Sequence, residues 1–260
     1  YLFEPLGLDF IRHVFKRGTL LLQPMEEAWW RRPSTLPLFI LLFAILIISF
    51  GGAIRIHDAG ESCPDWPKCF GTYGFDISEE EQAAYWEENP DEIDSRGADH
   101  RYTVFEIFLE WFHRALVGVI AIPVLLNVIV AKRKIDFYGK RNFYSAVFIA
   151  ILLVIQAIAG AITVFYDNAD WSVALHLSLA SIFTASILWQ YKLTRVKEGA
   201  GWKFLKVAPE FKQLYQKKFD LVALSVLILL VLGAWVSSTA GGQYNQSVSY
   251  THLRAHETVE

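Results

Sequence analysis

Five long apolar segments constrain this chain more than any other feature of its sequence. A membrane-crossing helix needs about 20 mostly apolar residues, because a rise of about 1.5 Å per residue has to cover about 30 Å of hydrocarbon. With 53% hydrophobic residues overall, the pattern predicts an all-α membrane protein rather than a soluble domain. The predicted crossings are residues 36–54, 103–130, 143–165, 171–191 and 219–236.

The charges between these segments predict the orientation, because lysine and arginine accumulate in cytoplasmic loops. Residues 132–141 carry five basic side chains and one acidic one, and residues 192–218 carry eight basic and two acidic ones. Residues 57–101 show the opposite balance, with thirteen acidic and three basic side chains. We therefore expect the N-terminus inside, and the 57–101 loop and the C-terminus outside.

Two short matches of small residues indicate an internal repeat. The pattern Gly-Ala, five residues, Ala-Gly occurs at 52–60 and again at 233–241, both times at the outer end of a predicted crossing. Four crossings separate the matches, so the fifth is expected to begin a second four-helix unit that is truncated here. Chance is the alternative, since small residues are common in membrane helices.

The two ends of the chain each allow two interpretations. Residues 8–30 mix apolar residues with three basic ones and form either an interfacial helix or an unstructured tail. Residues 249–258 resemble either adapter-derived read-through or an ordinary disordered tail, and we assign no function to their histidines. The predicted regions are a cytoplasmic segment (1–35), a four-helix transmembrane bundle (36–192) with an acidic outer loop (57–101), a basic cytoplasmic linker (193–218), a fifth transmembrane helix (219–238) and an outer tail (239–260).

The second crossing contains ionisable side chains, which are costly in a bilayer unless they face a partner or water. Glu106, Glu110 and His113 fall within an arc of about 60° and therefore share one face of the helix. Glu110 and His113 are three residues apart, which makes their side chains neighbours. Arg114 lies to one side of this face, where its expected partner is a carboxylate or a bound anionic group.

A second intramembrane histidine, His176, lies in the fourth crossing. Counted from the outer ends of their helices, His113 and His176 differ in depth by less than about 10 Å. Two imidazoles at similar depth on different helices are what bis-axial haem ligation requires. The alternatives are a proton relay through Glu106, Glu110 and His113, or plain hydrogen bonding between helices.

The outer loop contains the two cysteines of the chain, Cys63 and Cys69, within the motif CPDWPKC. Disulfides persist outside the membrane, and the prolines can turn the chain enough for the two to bridge. A metal site is the weaker alternative, because such sites usually need about four ligands. The acidic stretch 76–99 is interpreted as a solvated face.

Taken together, these motifs resemble haem A synthases. Residues 51–62 and the CPDWPKCFG segment that follows resemble the first-loop signature of that family, and EWFHR at 110–114 resembles its E-x-x-H-R motif. Gln156 with Ala-Gly at 159–160, and Ala-Leu-His-Leu at 174–177, resemble further family positions. The long acidic loop is similar to that of the subgroup that includes the mitochondrial members.

This resemblance implies an enzyme of eight helices in two four-helix halves. The enzyme oxidises the ring D methyl group of haem O to the formyl group of haem A, which terminal oxidases use. By resemblance, His113 and His176 are the axial ligands of the haem iron. Arg114, from its position beside them, is predicted to be a further cofactor-binding residue. Glu110 is implied as the catalytic residue, acting as an acid/base or through its charge.

The resemblance further implies that Cys63 and Cys69 form a disulfide that takes part in redox transfer or substrate handover. A haem b is expected in the second half of the family fold. The protein is expected in a prokaryotic cell membrane or in the mitochondrial inner membrane. The expected partners are haem O, membrane lipid, haem O synthase, oxidase assembly factors and a further copy of the chain, with no nucleic acid. A non-enzymatic b-type cytochrome or haem carrier and a proton-coupled transporter are the rival functions.

Overall fold

The structure, a computed structural model, describes residues 32–199 and 209–238. Within these ranges it contains seven α-helices, one 3-10 helix at Pro90–Glu92 and no β-strand, which confirms the predicted all-α class. The predictions for residues 1–31, for the middle of the basic linker (200–208) and for the tail (239–260) lie outside the described residues. The helices are α1 (Thr35–Ile56), α2 (Glu79–Glu88), α3 (Val104–Arg133), α4 (Ile135–Tyr138), α5 (Lys140–Phe165), α6 (Asp170–Lys197) and α7 (Pro209–Ser238).

All five predicted crossings are helices long and apolar enough to span a membrane. They are α1, α3, α5, α6 and the stretch Asp220–Ser238 of α7. The helices run a few residues past the apolar segments, because polar residues at the membrane surface continue the helical hydrogen-bonding pattern. Helical structure therefore enters the predicted basic linker from both sides, with α6 ending at Lys197 and α7 beginning at Pro209.

Four of these helices form a ring, which determines where the functional side chains meet. Helix α1 packs against α3 and α6, and α5 also packs against α3 and α6, so that α3 and α6 face each other along one diagonal. Helix α7 contacts α6 alone among the described helices. The interior of the ring is aliphatic and aromatic, and is formed by Ile40, Ala44, Ile47, Leu116, Ile120, Val124, Ile149, Leu152, Phe183 and Ile187.

The loop between α1 and α3, called the first loop below (residues 57–103), folds over the N-terminal end of α3. Its longer helical element, α2, is defined locally, since it begins with a capping box formed by Ser78 and Glu81. The loop has its own apolar cluster, which reaches the first turn of α3. The members of this cluster are Cys63, Cys69, Phe70, Ile77, Trp86, Tyr102 and Ile107.

Candidate functional site

The histidine of α3 lies directly against a glycine of α1. A methyl group added at Gly51 would lie 3.3 Å from His113 Cε1, so a larger residue would crowd the ring. The neighbouring rings of Phe50 and Phe112 meet edge-to-face with their centroids 5.0 Å apart, which shows how closely the two helices pack here. His113 Nδ1 is buried and has no hydrogen-bond partner among the described residues. Buried polar atoms are normally paired, so this unpaired nitrogen is unusual and marks the imidazole as a candidate ligand.

The histidine of α6 has a similar environment on the opposite side of the four-helix ring. A methyl group at Gly160 of α5 would lie 3.1 Å from His176 Cε1. One turn earlier on α5, Gln156 Nε2 lies 3.2 Å from His176 Nδ1 and donates to the His176 carbonyl oxygen at 3.0 Å. Helices α3 and α6 face each other along one diagonal of the bundle, so the fold places the two imidazoles on diagonally opposite helices.

The carboxylate of Glu110 is buried and has partners on both oxygens. Its Oε2 accepts hydrogen bonds from Ser62 Oγ at 3.1 Å and from the backbone N–H of Cys63 at 3.0 Å. Its Oε1 forms an ion pair with Arg114, four residues later on α3. An opposite charge and two additional donors offset the cost of removing this carboxylate from water.

Arg114 joins α3 to the first loop. Its Nη1 donates to the carbonyl oxygens of Asp65 and, at 2.6 Å, of Lys68. Its Nη2 donates to the Cys63 carbonyl oxygen at 2.8 Å, in addition to Glu110. Of the two partners expected for Arg114, the carboxylate is observed. Its role in binding a cofactor stays a prediction, for which the remaining Nε–H donor is left.

The disulfide between Cys63 and Cys69 is present, which confirms the predicted pairing. Both cysteines are buried, with exposed fractions of 0% and 1%. Phe70, next to the disulfide, packs edge-to-face on Tyr85 and Trp86 of α2. Helix α2 therefore shields the disulfide, while Glu110 and Arg114 hold the same loop from the side of the bundle.

A second group of charges in the first loop surrounds Arg96. Its Nη2 lies 3.0 Å from Asp58 Oδ2 and its Nε lies 3.7 Å from Glu61 Oε2. Ser95 Oγ donates to the same Glu61 oxygen at 2.9 Å. Burial nevertheless raises the pKa of Glu61 above its ordinary value, because desolvation outweighs the Ser95 hydrogen bond and the charge of Arg96.

Glu106 does not join the site that its helical face predicts. Its carboxylate accepts hydrogen bonds from Thr103 N–H at 2.8 Å and Thr103 Oγ1 at 2.7 Å, forming the capping box that begins α3. The Glu106 carboxylate therefore pairs with a backbone N–H at the helix start that has no partner within the helix. A proton relay that runs from Glu106 through Glu110 to His113 is therefore not supported.

Two features of the site region are not predicted by the sequence patterns. Ser62 Oγ lies within hydrogen-bonding distance of Glu110 Oε2 and, at 2.9 Å, of the Glu106 carbonyl oxygen, and its one proton serves these acceptors in turn. Asn127 and Gln190 form a buried amide pair deeper in the bundle. Amide side chains within apolar crossings are costly without a partner, which is the signal that singles them out.

Five membrane-length helices, four of them in a ring that carries two half-buried histidines on facing helices, define an all-α multi-pass membrane protein. The comparison with known families is more specific. Residues 34–253 match the COX15-CtaA family, described as cytochrome oxidase assembly protein, and the chain belongs to this family.

Curated relatives of the chain carry the name heme A synthase. The protein of Shewanella oneidensis is 28% identical over 201 residues, which cover 76% of this chain and 54% of that relative. The protein of Exiguobacterium sibiricum is 26% identical over 210 residues (79% and 59%), and that of Bacillus pumilus is 25% identical over 202 residues (77% and 57%). The chain thus spans little more than half the length of these relatives. No solved structure matches the chain.

Proposed function

We propose that this chain is the haem-substrate half of an enzyme that oxidises the ring D methyl group of haem O to the formyl group of haem A. The name shared by the curated relatives supports the reaction. The observation that carries the proposal is the position of His113 and His176 on two helices that face each other along the diagonal of the bundle. Two axial ligands on facing helices are the protein contribution that a haem needs.

The surroundings of the two histidines fit a haem better than a bare metal ion. His113 Nδ1 is a buried nitrogen without a hydrogen-bond partner among the described residues, and glycines at 51 and 160 allow both imidazoles to lie close against the neighbouring helices. No group of three or more His, Cys, Asp or Glu side chains within 32–199 and 209–238 is arranged to hold a metal ion. A bare ion needs more protein ligands than two, whereas a porphyrin supplies the others itself.

In this proposal a bound haem supplies the redox chemistry that side chains lack. His113 and His176 hold the substrate through its iron. Glu110 acts nearby as an acid/base or through its negative charge, and Arg114 keeps that carboxylate and the disulfide loop in place. Arg114 Nε–H is the donor that an anionic group of the substrate would reach. Cys63 and Cys69 serve in redox transfer or substrate handover.

The proposal includes a membrane arrangement and partners. The first loop lies outside and the N-terminus inside, as the distribution of basic residues predicts. The complete enzyme would add a second four-helix half with a haem b. Haem O synthase, oxidase assembly factors and further copies of the chain are the proteins expected to associate with it.

Alanine variants of the two histidines test the ligand assignment. We expect the chain in detergent to bind ferric haem b with a low-spin absorbance and EPR spectrum, and we expect His113→Ala and His176→Ala each to lose that spectrum. His57→Ala is the matched control, because His57 caps the end of α1 and packs on Phe105 outside the ring. Unchanged spectra in both His113→Ala and His176→Ala would refute the assignment.

A further inference from the structure

A pair of amide side chains links α3 and α6 well away from the histidines. Asn127 Nδ2 donates to Gln190 Oε1 at 2.7 Å, and Gln190 Nε2 donates to Asn127 Oδ1 at 3.2 Å. Both residues are buried, with exposed fractions of 3% and 1%. The two hydrogen bonds are reciprocal, so each amide satisfies the other in an apolar interior.

The spacing between the amides and the histidines is the same on both helices. Asn127 follows His113 by 14 residues on α3, and Gln190 follows His176 by 14 residues on α6. The two helices run in the same direction, because α5 passes back between them in the chain. Fourteen residues correspond to about 21 Å along each helix. The side chain at the end of this stretch points within about 40° of the direction of the side chain at its start. A bond between the amides therefore brings the two histidines to one level.

The contacts around the pair explain why the amides determine this alignment. The α3 and α6 backbones do not approach each other closely, since no Cα atoms of the two helices lie within 8 Å. Between the histidines and the amides the interior is filled by Ile120, Val124, Phe183 and Ile187, and apolar packing has no direction. Among the described residues, no other side-chain hydrogen bond or ion pair joins α3 directly to α6. Sliding one helix by a turn would leave both amides unpaired.

We propose that Asn127 and Gln190 are positioning residues that hold α3 and α6 in register, so that the His113 and His176 rings face each other at one level. The proposal rests on the proposed haem-binding function of the two histidines. It gives the amide pair a role that is distinct from contact with the substrate, since the pair lies about 21 Å from either histidine along the helix axis.

The test compares three variants of the chain in detergent, titrated with ferric haem b. The double variant N127L/Q190L removes both amides and keeps the volume apolar. We expect its haem affinity to fall about tenfold or more and its low-spin signal to become a mixture with a high-spin one, because a ligand held loosely misses its geometry. The exchange variant N127Q/Q190N keeps a reciprocal amide pair of the same total length and should restore both properties.

Thr194→Val provides the matched control at the same end of the bundle. Thr194 Oγ1 lies 3.0 Å from Asn142 Oδ1 of α5 and 2.9 Å from the Gln190 carbonyl oxygen of its own helix, so its hydroxyl bonds to α5 or within α6 rather than to α3. We expect this variant to keep the wild-type haem affinity and spin state. Circular dichroism of each variant records whether its helices are formed.

The outcomes separate the two proposals. If N127L/Q190L keeps the wild-type spectrum and affinity while His113→Ala and His176→Ala lose them, the register proposal is wrong and the ligand assignment stands. If the histidine variants also keep the wild-type spectrum, the ligand assignment fails, and the register proposal fails with it. Loss of the low-spin signal in the exchange variant and in Thr194→Val as well would show general sensitivity of the bundle, which also overturns the register proposal.

Discussion

Two buried polar regions on α3 obtain their hydrogen-bonding and ionic partners from different parts of the molecule. Near its N-terminal end, Glu110 carries a charge, and its compensation comes from Arg114 and from donors of the first loop. Fourteen residues after His113, Asn127 is neutral and is satisfied by one partner, Gln190. Removing a charge from water costs several kcal/mol and requires several partners, whereas an amide needs only another amide. The charged region therefore depends on a covering loop, and the neutral region depends on the bundle alone.

The largest expected effect is at the charged region. Glu110→Ala leaves the Arg114 guanidinium without its counter-charge and removes the acceptor of the Cys63 N–H, so the unfolding free energy should fall by about 3–5 kcal/mol. The first loop should also loosen, exposing its disulfide. We expect faster reduction of Cys63–Cys69 by dithiothreitol, measured by thiol labelling. Glu87→Ala, an exposed residue of α2, is the control and should reduce at the wild-type rate.

Glu110→Gln separates the charge of this residue from its shape. The amide oxygen still accepts the Cys63 N–H, so the disulfide should be reduced more slowly than in Glu110→Ala. Under the proposed function, the variant should keep bound haem while the conversion of haem O to haem A, assayed in the complete enzyme, is lost. A simple haem carrier would not respond to this change, and full activity of the variant would exclude Glu110 as the acid/base or charged group.

Glycine substitutions beside the histidines should have intermediate effects. Gly160→Ala places a methyl group 3.1 Å from His176 Cε1, and Gly51→Ala places one 3.3 Å from His113 Cε1. Overpacking typically costs about 1–3 kcal/mol, so we expect about tenfold weaker binding of ferric haem b in the first variant and a smaller loss in the second. Alanine favours helix over glycine, which excludes a weakened helix as the cause.

The adjacent Gly52 provides the control for these substitutions. A methyl group there meets nothing within 4 Å, so Gly52→Ala should bind haem as the wild type does. Equal losses in Gly51→Ala and Gly52→Ala would show that the change acts through α1 as a whole. That result would contradict a specific contact with the His113 ring.

The smallest expected effect is the pH dependence of the first loop. Since the pKa of Glu61 is raised in the folded protein, the folded state holds this proton more tightly than the unfolded state does. The contribution of Glu61 to stability is then greatest below its unfolded pKa and declines as the pH rises through the folded value. Glu61→Gln should remove this decline, seen as a smaller fall in melting temperature between acidic and neutral pH. An unchanged pH profile would contradict the pKa shift.

Local patterns explain which parts of the site can be predicted. The shared face of Glu110 and His113 follows from helix geometry, and Cys63 and Cys69, as the two cysteines of the chain, leave one candidate disulfide. The capping role of Glu106 could also be predicted from the sequence, because a threonine three residues before a glutamate, here Thr103, is a capping-box signature. The apolar run that follows favoured an interpretation as a membrane face, which the structure corrects. The acceptors of Arg114 could not be predicted, since backbone carbonyls of a loop have no sequence signature.

The sequence by itself determined the number and length of the crossings, because the bilayer imposes a fixed thickness on each apolar segment separately. Tertiary structure alone decided that α3 and α6 lie on one diagonal, that Asn127 pairs with Gln190, and that the first loop closes over Glu110. These are relations between distant segments. They depend on which helix faces neighbour each other once the ring closes, and no local pattern carries that information.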